Sequence, residues 1–409
     1  MARQTALLGT SLVLLAALAA GCGIAATGQA PMAITSQLSF EAKARGNGLK
    51  AYHGIQHTHV AENGDDGQGT LDEAYTFARD NAKLDFLGIS SHSHMINDQG
   101  YAVMKQKAAQ HTQNGKFVAL LAQEWSSISK GGHINIYEAN ERCPLDNGDW
   151  DAFYERWLPN HPEVAFVQFN HPHPSNPLEF GGKDFLPVAQ VKESVVAINK
   201  IAGMALLNGP GKYDKHDMMG QPDEWDRGVN KLNYEEEYKE FLNRGWRIGA
   251  VGDQDNHVKS WGLAVPTRTG VWAKSLTKSD LLAGFQARRT FAAFDPNLEL
   301  FISINGHDMG SEFTASGELA VTVEANDPDT TIARLELYGD TDGVGGAPAK
   351  LLAKSAVGKK AAKWDLKVPA AKGDAYYFAK VVYGDQTAWA WTSPIWVDQA
   401  AAKARKKTK

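Results

Sequence analysis

Seven of the thirteen histidines in this 409-residue chain stand at the edges of short apolar runs, in company with carboxylates. "LKAYHGIQH" (49–57) ends in His57, with His59 two residues on, and "LDFLGISSH" (84–92) ends in His92. "FVALLAQEW" (117–125) carries Glu124 at its end, "HINIY" (133–137) opens with His133, and "VAFVQFNH" (164–171) leads through His171 to His173. "WRIGAVGD" (246–253) ends in Asp253 and is followed by Asp255 and His257. Imidazole and carboxylate donors together suit Zn, Mn or Fe. His-x-His and Asp-x-His put both donors on one side of an extended strand, because side chains alternate with a period of two. Buried imidazoles and carboxylates without a metal would each need a separate partner. A lone His-x-His says little; the joint pattern is specific. His53, His111, His161, His216 and His307 lie outside it and read as ordinary core or surface residues.

The runs themselves, with "SVVAIN" (194–199) as a further one, are near-continuously apolar, as strands of a sheet buried on both faces are. Helix signals separate several of them. "TLDEAYTFARDNA" (70–82) begins with a capping box, Thr70 to Glu73. "NYEEEYKEFLNRG" (233–245) offers Asn233 as N-cap, acids in the first turn and Gly245 as a stop, and "TKSDLLAGFQARR" (277–289) has a looser box from Thr277 to Asp280. Strands alternating with helices predict an α/β barrel or doubly wound sheet. In a barrel of parallel strands the C-terminal edges converge on one face, where sites are built.

Beyond 296 the texture changes. "LELFISING", "GELAVTVEAN", "IARLELYGD", "AYYFAKVVYGD" and "TAWAWTSPIWV" are strand-like and divided by Gly, Asp, Asn and Pro, which predicts an antiparallel β-sandwich over 296–398. Residues 23–48, rich in Ala, Gly, Thr and Ser, read as a flexible tether, and 399–409 as a basic tail. The barrel would span 49–295.

Composition is that of a globular protein, 43% hydrophobic and 22% charged. A net charge of -5 offers no basic surface and argues against nucleic acid as a partner. "ALLGTSLVLLAALAA" (6–20) is too short to span a bilayer comfortably and suits the apolar core of an export signal over 1–22. "LAAGC" (18–22) resembles a bacterial lipobox with Cys22 as the acylated residue, although Ala19 stands where such motifs usually carry Leu. The expectation is an exported cell-envelope lipoprotein, periplasm-facing or in the outer membrane, held to the membrane through Cys22. A soluble exported protein is the alternative. Cys143 is the other cysteine, so a thiolate-rich zinc site is excluded.

Taken together, "HTH … DDG … SSHSH … QEW … GGHINIY … NHPHP … GDQDNH" resembles the PHP (polymerase and histidinol phosphatase) family over about 49–295. The trailing sandwich resembles its exported, carbaryl-hydrolase-like branch. The resemblance implies an α/β fold, a distorted (β/α)7 barrel, with two or three divalent metal ions. Carried over residue by residue, His57, His59, Glu124 and Asp255 would hold one ion, Glu124, His133 and His171 a second, and Asp66, His92 and His257 a third. The family's Thr-Asp-His is here Ser90-Ser91-His92, which removes a supporting carboxylate. Asp65 competes with Asp66 for the ligand position, and Asp253 shares parity with Asp255 and would stand among the ligands or behind them.

The reaction implied is metal-dependent hydrolysis of a phosphoric ester of a small molecule. Hydrolysis of a carboxylic ester, carbamate or amide by the same cluster is the alternative, and a non-catalytic envelope binding protein the third reading. His94 and His173 are spare imidazoles that would protonate a leaving group. Arg289, with Arg288 beside it, would clamp a phosphate.

Overall fold

The first strand, β1 (Thr35–Ser39), falls inside the stretch expected to be a tether. It pairs antiparallel with residues 363–367, and Leu38 packs against an apolar core. One apolar residue in an otherwise polar pentapeptide is enough for an edge strand, whose outer face meets water. The computed structural model describes residues 34–40, 48–127, 130–171, 199–209, 233–340, 347–371, 373–384 and 389–398.

β2 (Lys50–Ile55), β3 (Phe86–Ile89) and β4 (Val118–Ser127) are parallel neighbours. α1 (Leu71–Asp80) and α2 (Asp98–His111) connect them. The Thr70–Glu73 capping box closes as expected, with both reciprocal bonds present. α2 was not legible beforehand, because its apolar positions form no clear stripe. β5 (Gly132–Tyr137) runs antiparallel to both β4 and β6 (Phe166–Phe169). β6, β7 (Ile201–Leu207) and β8 (Gly249–Gly252) are parallel again. Six of these seven strands therefore point one way and β5 alone is reversed. The expected run at 194–199 lies almost wholly outside the described residues; the described strand is β7.

The sheet curls until the segment after β8 meets the segment after β2. His59 N donates to Asn256 O (2.9 Å) and Asp255 N to His57 O (3.1 Å). Gly88 of β3 has no side chain because the Gln56 carbonyl occupies the place of a Cβ. Inside the curl lie Phe86, Leu120, Ala122, Tyr137, Phe166 and Val251. Outside it, Leu87, Ile89 and Leu121 pack with Ala74, Tyr101 and Met104 of the helices. Each large side chain so buried contributes about 1.5–3 kcal/mol.

On its other side β2 pairs antiparallel with β9 (Arg268–Ala273), which pairs with β10 (Thr290–Ala293). The helices at Glu235–Asn243 and Lys278–Gln286 lie where expected. Asn233 Oδ1 accepts from Glu235 N at 2.9 Å. A regular strand-helix alternation is not found, since β4 and β5 form an antiparallel pair.

Among the described residues ten strands follow: β11 (Glu299–Ile304), β12 (His307–Asp308), β13 (Glu312–Thr314), β14 (Glu318–Asn326), β15 (Ile332–Gly339), β16 (Lys350–Lys359), β17 (Ala361–Pro369), β18 (Ala375–Tyr383), β19 (Trp389–Thr392) and β20 (Ile395–Asp398). One sheet has the order β1-β17-β14-β11-β12. Its Leu300, Val323, Trp364 and Leu366 share a core with Leu335, Leu337, Ala379 and Val381 of β15 and β18. β19 pairs with β10, Phe291 opposite Thr392, so strand pairing runs across the boundary expected near 295. Among the described residues no helix is long and apolar enough to cross a membrane.

Candidate metal centre

The ends of the strands decide what meets. Parallel β2, β3, β4, β6 and β8 deliver the residues at or after their C-terminal ends to one edge: His57 and His59, His92, Glu124, His171, and Asp253 to His257. Reversed β5 delivers its beginning, so His133 arrives at the same edge. A parallel bridge from His92 to Glu124 and the bonds from Glu124 N to Ser91 O (3.1 Å) and Ser93 N to Glu124 O (2.8 Å) fix two of these ends together. Asp255 and His171 adopt positive φ, 49° and 21°. Such backbone is uncommon for residues with a side chain and clusters at functional sites.

His57, His59, Glu124 and Asp255 form one group whose donor atoms lie within 4.8 Å of one another; His59, Asp66, His92 and His257 form a second, and His92, Glu124 and His133 a third. His57 Nε2 lies 3.2 Å from His59 Nε2, and Asp255 Oδ1 is 3.2 Å from each. Glu124 Oε1 is 3.3 Å from His57 Nε2, and Oε2 is 3.2 Å from His59 Nε2. An ion held at about 2.0–2.1 Å by imidazole nitrogens sets adjacent ligand atoms roughly 3 Å apart, so the spacing fits a divalent cation. Glu124 reaches further, with Oε2 3.2 Å from His92 Nε2 and Oε1 3.0 Å from His133 Nδ1 and 3.3 Å from His171 Nε2. His133 Nδ1 and His171 Nε2 are 3.3 Å apart. Asp66 Oδ1 is 3.2 Å from His257 Nε2 and 3.5 Å from His92 Nδ1. The nine side chains singled out by sequence thus come together, sharing Glu124. Among the described residues, buried Glu124 Oε2 and His257 Nε2 meet other candidate ligands of the same cluster, as befits atoms that converge on a shared ion.

Asp65 and Asp66 divide the work between them. Asp65 is buried, with Oδ2 3.0 Å from His59 Nδ1 and Oδ1 2.9 Å from His92 Nδ1. It orients two imidazoles from behind while half-open Asp66 faces His257. Asp65 also accepts from His92 N (3.2 Å). Asp253 is fully buried, 3.9 Å from His57 Nδ1, and stands behind the donors.

Charge is concentrated here. Burial alone would lower the His57 imidazole, but Glu124 and Asp255 outweigh it and push it up to about 10. His92 reaches about 9 against burial and the neighbouring His59, through Glu124, Asp65 and Asp66. His133 falls to about 4, because burial there exceeds the pull of Glu124. Burial raises Asp253 to about 7. Glu124 lies well below the usual carboxylate range despite burial, held down by His133, His57 and His92.

His94 sits at the exposed rim, its ring 5.5 Å from that of His92. His173 falls outside the described residues. The expectation for Arg288 and Arg289 fails. β9 runs antiparallel to β2, so the connection from β9 to β10 emerges at the edge opposite the cluster. There Arg289 Nε donates to Trp272 O (3.3 Å) and Arg288 Nε to Arg247 O. Sequence reasoning also missed Asn135, Gln168 and Asn170, all buried beneath Glu124. Their signal was parity: Gln168 and Asn170 alternate with Val167 and Phe169 in step with inward-facing Phe166. Asn208, buried just after β7 with Oδ1 unbonded, was missed as well.

No family model matches the chain, and no curated protein matches it. Among solved structures it is similar to a two-domain protein containing a predicted PHP-like metal-dependent phosphoesterase from Bacteroides vulgatus, at 12% identity and a TM-score of 0.43, covering 84% of this chain and 96% of that one. It is also similar to a chitin binding domain from Burkholderia pseudomallei, at 11% identity and a TM-score of 0.19, covering 22% of this chain and 57% of that one.

Proposed function

We propose that the chain is a metal-dependent hydrolase of phosphoric esters of small molecules, exported and tethered through Cys22. The observation that carries the reading is the nine-residue cluster in which one carboxylate, Glu124, approaches five imidazoles. His57, His59, Glu124 and Asp255 would hold one ion, Glu124, His133 and His171 another, and Asp66, His92 and His257 a third. Bound divalent ions supply Lewis acidity and lower the pKa of water at the site. With all three groups filled, the charge of the dications would exceed that of the carboxylates of Asp65, Asp66, Glu124 and Asp255, and that surplus would favour an anionic phosphate ester over a neutral carboxylic one. Asp65 holds the His59 and His92 rings with Nδ1 turned toward itself, leaving their Nε2 atoms toward Glu124. His94, exposed beside His92, would deliver a proton to a departing alkoxide. His57, His59 and Glu124 are at most 1% exposed, whereas His92 and His133 are each 10% exposed, Asp255 16% and Asp66 26%, so the cluster opens to solvent on that side.

The test is elemental analysis of the protein reconstituted with Zn or Mn, followed by a panel of phosphate monoesters, phosphate diesters and carboxylic esters. At least two ions per chain and turnover of phosphate esters are expected. Fewer than one ion per chain would sink the metal reading. Metal without phosphate turnover, but with carboxylic ester turnover, would move the assignment to the carboxylic ester class.

A further inference from the structure

Glu124 does not hold its position by histidines alone. β6 aims two amides into the interior, Gln168 and Asn170, on one face because they are two residues apart. Asn170 Nδ2 donates to Glu124 Oε1 (2.9 Å) and to Asn135 Oδ1 (2.9 Å). Gln168 Nε2 donates to Asn170 Oδ1 (3.0 Å) and to Asp253 Oδ2 (2.5 Å). Gln168 Oε1 in turn accepts from Gln56 Nε2 (3.0 Å) and from Tyr137 Oη (3.3 Å). Asn135 Nδ2 donates to Tyr137 Oη (3.2 Å), which also reaches Gln56 O (3.2 Å). All these side chains are at most 2% exposed.

The chain of donors has one consistent direction. Flipping the Asn170 amide would put its oxygen against Glu124 Oε1 and against Asn135 Oδ1. Flipping Gln168 would put oxygen against Asp253 and Asn170. Each amide orientation is therefore forced by its neighbours, and each ends with an N–H on a carboxylate. Glu124 stands on β4 and Asp253 just beyond β8, on either side of β6. A hydrogen bond to an ionised acceptor is worth about 1.5–3 kcal/mol, and a half-satisfied buried network is costly.

We infer that Gln168 and Asn170 form a two-pronged amide clamp that positions Glu124 for metal binding and couples it to Asp253. The inference rests on the metal-centre reading above. Both are positioning residues, acting through the carboxylates. Asn170 touches Oε1 of Glu124, the atom facing His57, His133 and His171, and makes no bond to Oε2, which faces His59 and His92. The His133–His171 group meets Glu124 through Oε1 alone, whereas the His57–His59 group meets both oxygens, so loss of Asn170 must weaken the first step more than the second.

The experiment titrates chelator-stripped full-length protein with Mn2+ by calorimetry, for the wild type, Asn170→Ala, Gln168→Leu and the double variant. Thermal unfolding of each in chelator is measured in parallel. Asn170→Ala is expected to weaken one resolved step by about 10–100-fold, the range typical of groups that orient ligands, and to leave another within about threefold. The double variant should lose less than the product of the single losses, because the two amides share one hydrogen bond. Wild-type affinities in both single variants would overturn the clamp while leaving the metal centre standing. A uniform loss across all steps, tracking the fall in unfolding temperature, would overturn it too, as a general packing defect. No Mn2+ uptake by the wild type, nor by wild type titrated with Zn2+, would overturn the metal centre and the clamp with it.

Discussion

Replacing Glu124 by Gln is the sharpest perturbation of this site, because the amide has only one way to sit. Oε1 accepts from Asn170 Nδ2 at 2.9 Å. A Gln placed with its NH2 there would meet another donor, so its oxygen must take that position. The NH2 then replaces Oε2, at 3.2 Å from both His59 Nε2 and His92 Nε2. Glu124 is among the groups that keep those imidazoles protonated, so with its charge gone the NH2 donates to them and occupies lone pairs that a metal would use. The variant therefore keeps its shape and its fold, yet loses a shared anionic ligand and obstructs two neutral ones. Groups that only orient ligands are worth about 10–100-fold in affinity, or about 1.4–2.7 kcal/mol. Glu124→Gln should exceed the top of that range, whereas Asp253→Asn, 3.9 Å behind His57 Nδ1, should stay within it. Affinity is measured by competition with a fluorescent chelator, metal content by elemental analysis, and fold by circular dichroism. A folded Glu124→Gln protein binding metal within about threefold of wild type would refute the shared-ligand geometry, since that is far below the loss expected of even an orienting group.

Metal uptake should also release protons. At pH 7 the metal-free His57 and His92, held at about 10 and about 9, carry protons that a cation must displace, whereas His133 at about 4 is already neutral. His59 is raised as well, against burial, through Asp65, Asp255 and Glu124. Release of at least two protons is expected, with apparent affinity rising as pH climbs from 7 and levelling once it passes the raised imidazole values. Calorimetry in buffers of different ionisation enthalpy counts the protons, and a heat independent of buffer would contradict the assignment. For the proposed lipid anchor, Cys22→Ser should move the protein from the membrane to the soluble fraction of a bacterial host. Unchanged fractionation would rule out acylation at this cysteine.

Much of the site was legible before any fold was known. Residue type did most of that work: imidazole and carboxylate at the ends of apolar runs are costly unless they converge on something. Spacing did part of the rest: His57-x-His59 meets as expected, but Asp255 sits at a φ of 49°, so Asp255 and His257 come together through a turn rather than by strand alternation. The Thr70 capping box and the Thr277 helix start were equally local, because a cap is satisfied by bonds three residues away.

What the sequence did not reveal depends on strand direction and on contacts between distant segments. Nothing in "HINIY" says that β5 is reversed, yet only reversal brings the beginning of that strand to the edge where the others end. Nothing in "QARRTFAAFD" says that β9 runs against β2, which carries Arg288 and Arg289 to the opposite edge. The division of labour between Asp65 and Asp66 could not be read from adjacent carboxylates in a loop. It depends on where His59 and His92, 33 residues apart in sequence, present their Nδ1 atoms (92 − 59). Residue type and local spacing determined which groups would do chemistry; tertiary structure decided which of them face one another, because hydrogen-bond direction and strand sense are fixed only when neighbours meet.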